Sequence, residues 1–250
     1  MPHMKLLPLA ILCALLFGPL GILSAVWAVV SVGRGEYLTA VVSIGFAMFC
    51  LGFIIPFAKT VPGKVCPRGD FDDEGTTIRP DRGIDIPIQV ALLGMVVAGG
   101  LFAVFAPLGA LDIPVPEQMR LYLPFVGGVA AVAGAPILWR TLRRGSSKYL
   151  RLTPNGLAIV QGWRPQSGDW AQVADVTDAA PSQSAPTPSA VVVVMSDGNA
   201  LTLAAASFTP DGRDLRELVR FYWLHSDRRD ELTDGRTLKR LTDGRFAAGS

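Results

Sequence analysis

Histidine occurs twice and cysteine three times in 250 residues, asparagine is almost absent, and charged residues make up only 18% of the chain. Each scarcity removes a class of chemistry. His3 and His225 stand in no pattern with Cys, Asp or Ser that would form a triad or a metal site. Cys13 and Cys50 fall inside apolar runs and Cys66 is alone in a polar stretch. A scattered odd set makes neither a disulfide framework nor a CxxC knuckle, so reduced, structural thiols are expected. No Walker, GxSxG or HExxH pattern occurs. The formal charge of +2 offers nucleic acid no bulk attraction. The expectation is a chain that is not an enzyme and uses no cofactor, metal or nucleic acid.

What is abundant is apolar: hydrophobic residues are 50% of the chain. A bilayer core is about 30 Å thick and takes roughly 20 apolar helical residues to cross. Four runs reach that length, Leu6 to Val32, Tyr37 to Phe57, Ile86 to Ala110 and Leu121 to Trp139, and none contains Asp, Glu, Lys, Arg or His. Each must be helical, because backbone groups in lipid need internal partners. The first run follows Lys5 but is longer than the h-region of a signal peptide, so an uncleaved helix is expected over a cleaved signal. Without ionisable groups at membrane depth, the runs lack what pumps and ion-coupled transporters use. Their polar residues are of the kind of Ser24, Thr39, Ser43, Gln89 and Tyr122.

Direction follows from the loops. The links after the first and third runs hold only Arg34 and Arg120. The segment after the second holds Lys59, Lys64, Arg68, Arg79 and Arg82, and Arg140, Arg143, Arg144, Lys148 and Arg151 follow the fourth. The basic segments and both termini are therefore expected in the cytoplasm. Trp27, Tyr37 and Tyr122 are expected at the outer interface and Trp139 at the inner one. The usage of Arg over Lys, with little Asn, fits a GC-rich bacterial coding sequence. The expected site is the bacterial inner membrane.

Lipid gives helices no hydrophobic reason to associate, so small residues must let them approach. Gly94, Ala98, Gly127, Ala131 and Gly134 are the candidates, and the third and fourth spans are expected to form a tight hairpin. Pro19 and Pro124 are expected to kink their spans.

The segment 59–85 carries Asp70, Asp72, Asp73 and Glu74 before Gly75. The spacing starts like a calcium loop, but Pro80 and Thr77 interrupt it and no amphipathic helix flanks it. A turn at Asp73-Glu74-Gly75 followed by an extended Thr76–Arg79 is the better reading. From Lys148 the pattern alternates, with Leu150 and Leu152 inward and Tyr149 and Arg151 outward. Pro154-Asn155-Gly156 makes a turn into a strand Leu157–Trp163. Further strands are expected near Gln172–Thr177, Val191–Met195 and Ala200–Ala204, the last two joined by Ser196–Asn199. Ala179 to Ala190, rich in Pro and Ser, is expected to be a flexible loop. With Thr209 as N-cap, Leu215, Leu218, Val219 and Tyr222 form the buried face of a closing helix. The tail 227–250 repeats LTDGR and is expected to be flexible.

The runs YLRLTPNGLAIVQGW, GDWAQVADV and VVVVMSDGNALTL, with the helix to His225, resemble a membrane-anchored bacterial PH-like domain. The resemblance implies a non-catalytic binding or scaffolding module. The turn Thr153–Gly156 has no Lys or Arg to cradle phosphates, which departs from phosphoinositide-binding relatives.

The expected fold class is a four-pass transmembrane helical bundle with a small β-rich PH-like domain, antiparallel strands and a C-terminal helix. The expected segments are helical hairpins at 1–58 and 86–140, a cytoplasmic loop at 59–85, the β-domain at 148–226 and the tail at 227–250. Arg213, Arg216, Arg220 and Trp223 are candidate partner contacts. Arg140, Arg143, Arg144 and Lys148 are candidate contacts to anionic lipid. The expected function is binding of another membrane or cytoplasmic protein, with an oligomeric state the sequence leaves open. Two alternatives stand beside it: an accessory subunit docking through its helices, and a membrane enzyme or lipid-handling protein using the acidic segment.

Overall fold

The structure, a computed structural model, describes residues 3–113, 117–146, 148–161, 165–178 and 189–244, without the side chains of 3–6, 117 and 211. Residues 179–188 of the expected loop, the strand end at Trp163 and the last six residues of the tail lie outside the described residues, as do the His3 and Lys5 side chains; Ala190, expected as the loop's last residue, instead opens a strand.

Four helices carry the apolar runs: α1 His3–Gly33, α2 Tyr37–Thr60, α3 Arg82–Phe105 and α4 Tyr122–Arg144. All four are long and apolar enough to cross a membrane. The shortest has 23 residues, which at about 1.5 Å per residue spans about 34 Å. Several boundaries differ from expectation: the first helix starts at His3, the second runs on to Thr60, and the third ends at Phe105 rather than Ala110. The third run begins four residues early, at Arg82, and takes Asp85 into its first turn, where a carboxylate complements the helix dipole. The fourth continues past Trp139 to Arg144 and ends on Gly145, whose φ of 69° is the left-handed stop. Helix α1 contains both Pro8 and Pro19 without a break in its assignment. Pro124 sits in the first turn of α4, where a missing N–H costs no helical bond.

The helices touch in chain order. Gly21 of α1 meets Cys50 and Leu51 of α2, and the Phe17 ring packs edge-on to Phe49 at 6.0 Å and tilted against Phe53 at 5.5 Å. Gly45 and Gly52 of α2 meet Ala98, Ala91 and the Pro87 carbonyl of α3. Gly99 and Gly127 bring α3 against α4, and Gly134 faces Met95 and Val96.

The second unit gathers Lys59–Arg82 and the chain from Ser146. Strands β1 Arg68–Asp72 and β2 Gly75–Arg79 form a two-residue hairpin, and Asp72 Oδ1 accepts the N–H groups of Glu74 and Gly75. Next come β3 Lys148–Leu152, β4 Gly156–Gln161 and β5 Pro165–Asp169. These five make one antiparallel sheet in chain order. Here the acidic segment departs from expectation. It is not a separate loop, because Thr76, Thr77 and Ile78 pair with Leu152, Arg151 and Leu150. Strands β6 Val173–Thr177, β7 Ala190–Met195 and β8 Ala200–Ala204 form a second antiparallel sheet.

Helix α5, Arg213–Leu224, closes the unit. Thr209 caps nothing with its hydroxyl, because a 3-10 turn at Pro210–Gly212 comes first. The expected face is buried: Leu215, Leu218, Val219 and Tyr222 join Ile78, Leu150, Leu152, Ile159, Val191 and Leu203 in one core. The tail corrects a further expectation. Ser226–Thr233 winds as 3-10 turns and Arg236–Asp243 is helix α6, with Leu232 and Leu241 set into the same core.

Candidate functional site

At its C-terminal end α4 carries the candidate lipid contacts. Ala131, Gly134, Leu138 and Thr141 are its buried stripe. Trp139, Arg140, Arg143 and Arg144 are exposed, and the Arg143 guanidinium lies 4.3 Å from the centre of the Trp139 ring. Lys148 is half-buried in β3 and belongs with the β-unit.

The packing candidates divide between two neighbours. Gly94 and Ala98 meet Gly45 of α2, while Gly127, Ala131 and Gly134 face α3. These small residues are spent on contacts inside the chain.

The acidic turn is occupied by its own fold. Arg151 reaches Asp72 at 3.0 Å and Glu74 at 2.8 Å, and Asp70 pairs with Arg79. At the foot of α2, buried Asp81 accepts Lys59 Nζ at 2.9 Å and the Cys66 N–H at 3.0 Å. Among the described residues no cluster of His, Cys, Asp and Glu has the geometry of a metal site.

On α5, Arg213 and Arg220 are exposed, while Arg216 is half-buried and pairs with Asp178 at 2.9 Å. Trp223 rests against the core. His225 stacks on Phe221 at 4.5 Å, and its Nδ1 lies 3.0 Å from the Phe221 carbonyl oxygen.

Behind α5 lies a polar cluster that periodicity could not reveal. Glu231 is 2% exposed and accepts Arg240 Nε and Nη2 at 3.1 and 2.9 Å. Tyr222, fully buried, places its hydroxyl 3.0 Å from Thr237 and 3.3 Å from Glu231. Burial pushes the phenol up to about 12. Arg229 donates to the Tyr222 carbonyl at the end of α5 and lies over Trp170, and burial lowers its guanidinium. The signal in the sequence was the repeated LTDGR. In the first copy Asp234 accepts the Arg236 N–H, and that bond holds its carboxyl below the usual range. Gly235 turns there at φ 81°, and in the second copy Gly244 ends α6 at φ 64°.

The links α1–α2 and α3–α4 meet in a second cluster. Asp112 pairs with Arg34 at 3.2 Å, its carbonyl accepts Trp27 Nε1 at 3.1 Å, and its N–H donates to Thr39. A cavity of about 560 Å³ opens there, lined by Glu36, Tyr37, Thr39 and Asp112 among others.

Together these features define a class: four membrane-length apolar helices joined to an antiparallel β-unit. The chain matches no protein-family model, no curated protein and no solved structure.

Proposed function

We propose that this chain is a non-enzymatic protein of the bacterial cytoplasmic membrane whose β-unit is a PH-like domain that binds a protein partner in the cytoplasm. One observation carries the reading. Strand β2 precedes α3, β3 follows α4, and the two strands are paired. That pairing supports a topology in which the segments before α3 and after α4 share one side of the bilayer. Those segments hold the Lys and Arg excess, which favours the cytoplasmic side for them. Two antiparallel sheets and a closing helix support the PH-like resemblance, and the exposed Arg213 and Arg220 of α5 offer an acidic partner a basic edge.

Photocrosslinkers at 213 and 220 in the full chain test the partner. A discrete adduct that R213E/R220E abolishes supports the reading; adducts unchanged by the charge reversal count against it. Exposed Cys66 tests the side. Labelling by an impermeant maleimide in intact cells would overturn the orientation.

The accessory-subunit reading keeps one observation. In an 18-residue apolar stretch of α1 only 6% of the residues are buried, against 44% for α2. A docking partner would use α1 rather than the glycines of α4.

A further inference from the structure

We infer that the C-terminal end of α4 is a headgroup site for anionic phospholipid, built from Trp139, Arg140, Arg143 and Arg144. A topology signal needs only basic residues on the correct side of the bilayer; it does not need them on one face of a helix. Here they share one. The residues of α4 turned into the bundle are Ala131, Gly134, Leu138 and Thr141. At about 100° per residue that stripe lies opposite Trp139, Arg140, Arg143 and Arg144. Above them the same outward side carries Phe125, Val129 and Val132, exposed by 70, 54 and 77%. The arginines therefore continue the apolar surface that α4 turns away from its neighbours, at the height where a lipid's acyl chains give way to its phosphate.

The chemistry matches that position. Trp139 is amphipathic and suits the interface, and the Arg143 guanidinium is held over its ring at 4.3 Å. Arg140 and Arg144 are one turn apart on the adjoining row, so the guanidinium groups can reach one phosphodiester or two neighbouring ones. The glycine stop at Gly145 ends the helix just beyond them, and their charges also complement its C-terminal dipole.

This inference rests on the membrane-spanning reading of the helices but not on any protein partner. The test uses the purified full chain in phosphatidylcholine vesicles containing about one phosphatidylglycerol in five. Spin-labelled phosphatidylglycerol and phosphatidylcholine report the lipid held at the protein surface. The wild type should prefer phosphatidylglycerol, and salt should weaken the preference. Each Arg→Gln change at 140, 143 and 144 should lower it roughly fivefold at low salt. R140K/R143K/R144K should keep most of it, which guards against a variant that has merely misfolded. Equal preference in wild type and R140Q/R143Q/R144Q overturns the site, as does loss of preference in the lysine variant. A chain that stays in aqueous solution without detergent overturns the membrane reading instead.

Discussion

Tyr222 shows how much of the β-unit hangs on single side chains. Its ring is in the core and its hydroxyl sits between Thr237 and Glu231, so ionising it would put a second negative charge beside a buried carboxylate. The folded value is raised from 10.0 to about 12. The stability this provides is complete below the ordinary value and drains away as pH rises from there through the folded one. The denaturant midpoint of the full chain in detergent should therefore fall across that interval, and Y222F should remove this part of the fall. Glu231 and Arg240 were invisible as partners beforehand. Nothing in local spacing marks a carboxylate in a polar, glycine-broken tail as buried, and only the docking of that tail makes it so.

Among the elements, α6 is the one most dependent on its ends. Eight residues are too few for a helix to persist alone, so its start and its contacts decide it. Asp234 holds that start through the Arg236 N–H. D234A should cost about 1 kcal/mol, seen as faster hydrogen exchange at 236–243. The folded carboxyl lies below its ordinary 3.8, so its contribution is full above that value and is lost as pH falls through the folded one. The exchange difference between wild type and D234A should close in acid. In the bundle, a Cβ on Gly94 would collide with the Gly45 carbonyl, while Gly18 has open space around it. G94A should destabilise the chain by about 1–3 kcal/mol in a detergent melt, and G18A should leave the melt nearly unchanged.

The helices, the hairpin at Asp73-Glu74, the alternation from Lys148 and the buried face of α5 were all readable, because each is a local period written in neighbouring residues. Strand β5 was not. Pro165-Gln-Ser-Gly-Asp has no apolar alternation and is held as an edge by β4. The small residues of α3 were recognised as packing positions, but which neighbour each would meet depends on where the chain returns. Of the candidate site, the cluster of arginines on α4 was legible, while their common face emerged only from the buried stripe opposite.

For the whole molecule, the β-unit is not one continuous stretch of sequence. Ile78 is fully buried in the core built largely from residues after 146, and Leu232 and Leu241 close it from the tail. A fragment of residues 146–250 should show little cooperative unfolding by circular dichroism, because it lacks β1, β2 and the Ile78 side chain. Adding a peptide of residues 66–81 in trans should restore a transition. The same pairing of β2 with β3 sets an order of events at the ribosome. The hairpin leaves the exit tunnel two helices before its partner strand has been translated. Until α4 is complete, the inner edge of β2 stands open on the nascent chain. A ribosome stalled within α3 or α4 thus releases a product with a bare strand edge, a substrate for chaperones and membrane proteases.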